Sequence, residues 1–238
     1  MQYESVPQTE YQKYSVDSSL LGDAQKNFAK KVFSIVGFQL MATTIIAYLA
    51  MNYRFFETLC EILFIPAIIC AVVSGVWIYL SRTSARKFPL NYILLSIFTL
   101  GESITLATSC AQIGDPELIF QAFLITTVIV VALAIYSITT QNDLSFHGTT
   151  IFLLSLGCAI AGITYFFSGN SMAYQIYLIG GAISLGLYLV YDIQLIMGDK
   201  NLRLTIDDYI LGSILIYTDI IRIFLRIVKI LLKEKKEK

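Results

Sequence analysis

Two aspartates lie where a hydrocarbon environment tolerates them least. Asp192, in Gly-Leu-Tyr-Leu-Val-Tyr-Asp-Ile-Gln-Leu-Ile, and Asp219, in Ser-Ile-Leu-Ile-Tyr-Thr-Asp-Ile-Ile-Arg-Ile-Phe, fall inside strongly apolar runs. Even on a mild insertion scale, a carboxylate at mid-membrane costs roughly 2.5–3.5 kcal/mol, so such residues face a bundle interior or a water-filled path. Two close carboxylates cannot both ionise cheaply, and they exchange protons as a unit. Their oxygens also suit calcium. Either property would serve a cation path with a pH-sensitive gate.

The surroundings of the two aspartates are those of a membrane protein. Of 238 residues, 56% are hydrophobic and 14% charged, and the mean hydropathy is +0.70. A soluble domain carries roughly 25% charged residues. Seven stretches are long and apolar enough to span a bilayer: 31–51, 59–80, 90–111, 118–138, 149–167, 174–197 and 208–232. The expected organisation is a flexible polar cytosolic tail without a leader pattern over 1–27, a seven-helix transmembrane domain over 28–232, and a basic tail over 233–238. Zero net charge gives no footprint for nucleic acid.

Local signals place the helix ends. Pro89 and Asp115-Pro116 open the third and fourth spans. Thr205-Ile-Asp207-Asp208 reads as a cap-like start to the seventh, with acidic residues at its positive dipole end. Pro66 predicts a kink in the second span. Gly157 with Ala161, and Gly180 with Ser184, have the spacing of close helix contacts. Cys60, Cys70, Cys110 and Cys158 form no C-x-x-C pair and read as small buried hydrophobes.

Lysine and arginine in short loops mark the cytosolic side. Lys13, Lys26, Lys30 and Lys31, then Arg82, Arg86 and Lys87, then Lys200 and Arg203, share one side if the N-terminus is cytosolic. The lysines from Lys229 to Lys238 break the pattern if the seventh helix crosses, and obey it if that helix re-enters. Both arrangements fit the sequence.

Depth brings the ionisable residues together. At about 1.5 Å per residue, Asp219 lies ~16 Å into the seventh helix and Asp192 ~8–11 Å from the same face on the sixth. Glu102 lies ~20 Å into the third. Asp208, Gly212, Asp219, Arg222 and Arg226 share one face of the seventh helix, which should turn toward protein or water. A purely structural role stays open: Asp219 pairing with Arg222, or Asp192 clamped by Tyr188, Tyr191 or Tyr217.

The segments Val-Tyr-Asp-Ile-Gln-Leu-Ile (190–196) and Asp-Asp-Tyr-Ile-Leu-Gly-Ser-Ile-Leu-Ile-Tyr-Thr-Asp-Ile-Ile-Arg-Ile-Phe (207–224) resemble the transmembrane Bax-inhibitor-motif family. That family includes the lifeguard and Golgi anti-apoptotic proteins. Phe-Pro-Leu-Asn-Tyr-Ile-Leu-Leu-Ser-Ile-Phe-Thr-Leu-Gly-Glu-Ser (88–103) is similar to its third-helix pattern. The likeness covers about residues 28–232, and the short tail and compact loops look most like the Golgi anti-apoptotic branch.

The resemblance implies an all-α integral membrane protein, a seven-helix bundle with the C-terminal helix central. It implies a pH-sensitive calcium leak from Golgi or endoplasmic reticulum that lowers store calcium and inhibits apoptosis. The family's paired aspartates carry over to Asp192 and Asp219, where calcium would bind in transit. Asp207 matches an acidic position associated with ion passage; Glu102 and Asp208 complete the acidic path. Two departures stand out. Ile193 occupies a position where Thr is common, and Arg222 one where relatives often have Asn. The positive charge of Arg222 works against proton sharing at Asp219 and so makes it a modulator of the pair. Some members also bring an arginine from an early helix to the pair, and the second span offers no equivalent.

Other classes fit less. No cofactor is expected, calcium being the permeant ion. A lone histidine, His147, does not make a zinc hydrolase. A shared-proton dyad could act as an aspartic protease does, but the Gly-rich motif beside the second aspartate is missing, so the chain does not read as an enzyme. A seven-helix receptor would place the N-terminus outside, against the lysine pattern. The remaining alternative is a non-conducting regulator that binds apoptosis regulators or calcium-release channels, with the basic C-terminus as docking element. Homo-oligomers fit either reading.

Overall fold

A computed structural model describes the backbone over residues 8–140, 148–197 and 207–237, and side chains from residue 23 to 236. His147, Lys200, Arg203 and Thr205, and the side chains of residues 1–22, lie outside the described residues. Among the described residues all regular structure is helical. The elements are α1 (Gln8–Asn52), α2 (Arg54–Leu80), the short α3 (Arg82–Arg86), α4 (Leu90–Ile113), α5 (Pro116–Thr139), α6 (Gly148–Ser168), α7 (Ser171–Gln175), α8 (Gly181–Met197) and α9 (Tyr209–Glu237). A π-helical turn, Ile176–Gly180, joins α7 to α8. Six stretches are long and apolar enough to cross a membrane: 23–52 of α1, α2, α4, α5, α6, and the continuous run 171–197. The chain is a multi-pass membrane protein.

The caps follow the local chemistry. Asp115 caps α5, its carboxylate accepting the Leu118 N–H at 3.2 Å, with Pro116 at the first helical position. Pro89 precedes the first residue of α4. Asn170 caps α7 by accepting the Met172 N–H at 2.9 Å. α2 runs unbroken through Pro66.

Apolar content does not say which helices are inside, because lipid is as apolar as a core. Small and polar residues do. In α2 the buried stripe is Cys60, Ala67, Ala71, Ser74 and Ile78, and it packs on α4. A Cβ on Gly101 of α4 would stand 2.6 Å from the Ala67 carbonyl oxygen, so only glycine allows that approach. Gly180 packs as its spacing suggests, against Cys158 Sγ. Gly157 faces open space, so no neighbouring helix packs against it. Three of the four cysteines are buried, but Cys70 is exposed.

α9 contacts α1, α4, α5 and α8, and Ile210, Ile216 and Tyr217 of α9 are fully enclosed. A buried polar seam ties it to its neighbours. Gln39 Nε2 donates to Thr99 Oγ1 at 2.8 Å, and Thr43 Oγ1 lies 2.8 Å from both Ser103 Oγ and Tyr217 Oη. Hydroxyls of this kind hold helices together where the hydrophobic effect cannot.

α9 is a single helix that does not turn back. Its first residues lie beside α3, and Lys235 near its end pairs with Asp115 at the start of α5. Those two ends are about 40 Å apart at the α-helical rise. The C-terminal lysines therefore sit at the end of the bundle opposite Arg82 and Arg86. Of the two arrangements the sequence allowed, the re-entrant one is not the fold.

Candidate functional site

The Asp192 and Asp219 carboxyls are brought within hydrogen-bonding reach of each other, on α8 and α9. Both side chains are buried, and Asp219 Oδ2 has no hydrogen-bond partner in the protein. Leu189, Ile193 and Ile223, close to the pair in sequence, are buried as well. Glu102, half-buried on α4, joins the pair through a shared neighbour: Arg222 lies within electrostatic range of Glu102, Asp192 and Asp219 alike. Arg222 itself is exposed on the flank of α9, so the polar stripe read along that helix is not enclosed throughout its length.

The tyrosine clamp is not formed by Tyr217 or Tyr188. The Tyr217 hydroxyl bonds to Thr43, and that of Tyr188 lies 3.3 Å from Ser155 Oγ. The charged neighbours of the two aspartates are each other and Arg222, and of these only Arg222 favours the ionised form of both.

Asp207 and Asp208 form a second group, roughly 16 Å away along α9. Asp207 is exposed. Asp208 stands at the start of α9, as expected, its carbonyl accepting the Gly212 N–H at 2.9 Å, but its side chain is held by residues of another helix. Its fully buried carboxylate is gripped by Arg86, Nε to Oδ1 at 2.8 Å and Nη2 to Oδ2 at 2.9 Å, with Arg82 at 3.8 Å. Hydrogen bonding to Asp208 pushes the Arg86 guanidinium above its ordinary value. Next to this ion pair, Lys31 lies 3.3 Å over the Tyr209 ring, whose hydroxyl accepts from Asn91 Nδ2 at 3.0 Å. Arg86 therefore binds Asp208 and not the aspartate pair. Sequence reasoning missed it because 122 residues separate the partners.

Arg226, the last member of the stripe, belongs to neither group. Its guanidinium lies 4.0 Å over the Tyr177 ring and donates to the Tyr177 carbonyl at 3.0 Å.

Among the described residues no three or more His, Cys, Asp or Glu gather as metal ligands. The aspartate pair offers at most four oxygens, against the six to eight that calcium takes. A cation at the pair would keep much of its water, as suits passage better than storage.

A multi-pass helical membrane protein with a buried carboxylate pair between its last two long helices is the class that fold and site define. The family model "Inhibitor of apoptosis-promoting Bax1" matches residues 25–236, and the chain belongs to that family. Similar proteins include protein lifeguard 4 of Mus musculus, 28% identical over 205 residues, covering 86% of this chain and 84% of that one. The Golgi anti-apoptotic protein of Vaccinia virus (strain Lister) is 30% identical over 206 residues, 86% and 84% of the two chains. Protein LIFEGUARD 4 of Arabidopsis thaliana is 32% identical over 213 residues, 85% and 83%.

Proposed function

We propose that this chain is a calcium leak channel of Golgi or endoplasmic-reticulum membranes that lowers store calcium and thereby inhibits apoptosis. In this reading seven helices cross the membrane, α9 at their centre, with the N-terminus cytosolic. Proton exchange at Asp192 and Asp219 is the gate. The observation that carries it is the pair itself: two enclosed carboxyls within hydrogen-bonding reach, one with an unpartnered oxygen, on helices that pack directly together.

The mechanism follows from Coulomb's law. With one shared proton the pair ties α8 to α9. With both ionised, two charges about 4 Å apart at an effective dielectric of 20 repel by about 4 kcal/mol. That is enough to move a packed interface between two states. Arg222 tempers the repulsion and holds the doubly ionised state within reach. A hydrated calcium ion would then pass along α9 between Glu102 and the pair, toward the exposed Asp207, the neighbouring Asp208 being neutralised by Arg86. The family description and the name of the viral relative support the apoptotic and Golgi parts of this reading.

The test is calcium flux in proteoliposomes holding only this protein, from about pH 6 to about pH 8. Wild type should leak calcium with a pH dependence, and Asp219→Asn and Asp192→Asn/Asp219→Asn should lower the flux and flatten that dependence. Unchanged flux in Asp219→Asn removes that residue from the mechanism. A wild type that passes no calcium at any pH overturns the channel, leaving capture of apoptosis regulators or calcium-release channels as the function.

A further inference from the structure

At the end of the bundle where α9 finishes, a cavity of ≈ 590 Å³ opens between α6, α7 and α9. Its volume lies in the range of small-molecule sites, roughly 300–1,000 Å³. Ile163, Phe166 and Phe167 supply an apolar wall, Tyr174 and Tyr177 a ring face, and Lys229 the charge. Tyr165, Tyr174 and Tyr177 form a row, with ring centroids 4.4 and 6.4 Å apart.

The cavity is built by specific backbone features. A Cβ on Gly162 would stand 2.7 Å from the Tyr177 ring, and one on Gly181 would stand 2.8 Å from the Arg226 guanidinium carbon. The two glycines make room for ring and cation. The π-helical turn Ile176–Gly180 supplies the Tyr177 carbonyl that Arg226 engages. Turns of this kind recur at functional sites.

Arg226, Lys229 and Lys233 fall at spacings of three and four, on one face of α9. They stand 4.0, 6.0 and 5.7 Å from the Tyr177, Tyr177 and Tyr174 centroids respectively. Among the described residues no acidic side chain lines the cavity, and none forms an ion pair with Lys229. Asp115 is engaged by Lys235. At the rim, Phe166 and Phe167, near the end of the apolar helix α6, are 81% and 82% exposed.

We propose that this cavity binds the headgroup of an anionic phospholipid. The phosphate sits at Lys229 above the tyrosine row, and the acyl chains lie along Ile163, Phe166 and Phe167. The mixture of cations with an apolar wall at a helix end selects a molecule that is charged at one end and oily at the other. This site is independent of the aspartate pair, and it stands or falls apart from calcium conduction.

The experiment is native mass spectrometry of the full chain released from detergent with phosphatidylserine or phosphatidylcholine. Wild type should retain phosphatidylserine in preference to phosphatidylcholine. A lysine near a membrane surface favours anionic lipid about 5-fold, so Lys229→Gln should lose about 5-fold in phosphatidylserine retention and Lys229→Glu more. Phosphatidylcholine retention should not change, and Lys26→Gln, at the far end of the bundle, should match wild type. Equal retention of the two lipids by wild type overturns the proposal. So does undiminished phosphatidylserine retention in the Lys229 variants, or an equal loss in Lys26→Gln.

Discussion

Replacing Arg86 by methionine should destabilise the protein more than neutralising the aspartate it holds. The asymmetry comes from burial: the Asp208 side chain is 0% exposed, whereas that of Arg86 is 36% exposed. Without Arg86, the enclosed carboxylate loses two charge-assisted hydrogen bonds of 2.8 and 2.9 Å, while Arg82 stands at 3.8 Å. Removing one partner of a buried pair costs about 3–5 kcal/mol, and the partial exposure of this one places Arg86→Met near 3. Asp208→Asn keeps a hydrogen-bonding side chain and leaves an arginine that water can reach, so loss of the charge-assisted bonds costs about 1.5 kcal/mol. The double variant contains no stranded charge and should cost about 2 kcal/mol, less than Arg86→Met alone. The resulting coupling of about 2.5 kcal/mol lies within the range for residues in contact. In thermal unfolding, at roughly 2–4 °C per kcal/mol for a chain of this size, Arg86→Met should lower Tm by about 6–12 °C. Trp77, the chain's one tryptophan, reports on this corner, because its indole donates to Ser84 Oγ in α3 at 3.4 Å. Additive single variants, or an Asp208→Asn that costs as much as Arg86→Met, would refute the reasoning.

Further outcomes can be read by similar means. Gly101→Ala forces a methyl to within 2.6 Å of the Ala67 carbonyl oxygen, and should cost about 1–3 kcal/mol by overpacking the α2–α4 contact; unfolding in detergent measures it, and an unchanged Tm would show that the helices separate freely. Lys235 and the Leu118 N–H hold the Asp115 carboxyl below the usual carboxylate range. A lowered folded value adds stability above the unfolded value of about 3.9, which is lost as pH falls through the folded one. The Tm gap between wild type and Asp115→Asn should therefore be steady near neutrality and shrink below about pH 4; a gap that persists under acid would mean that the capping geometry, and not the charge, matters.

The helix ends and six of the seven span positions were legible because they depend on neighbours in sequence. An Asp-Pro start needs only three or four residues, and a span needs only length and composition. The paired aspartates were legible for a similar reason: two helices joined by a short connection run antiparallel, so depth from a common face locates both carboxylates. The partner of Asp208 was not legible. Arg86 looked like one of several loop charges, and only the packing of α3 against α9 chose it. Arg226 does face protein, as its place on the stripe implied, but its partner Tyr177 was not legible, because helical spacing gives the face of a residue and not the neighbour that face meets.

Hydropathy and spacing therefore determined that this chain crosses a membrane many times and carries acid inside it. Tertiary structure decided the rest. It made α9 one unbroken helix whose basic end lies opposite Arg86, it steered Arg222 to the flank of the carboxylate pair, and it built the tyrosine-lined cavity around a π-helical turn. Helices apolar on every side carry little directional information, because lipid and core reward the same residues. Which faces meet is fixed by the few places where small side chains allow backbones to touch and where buried polar groups must find one another.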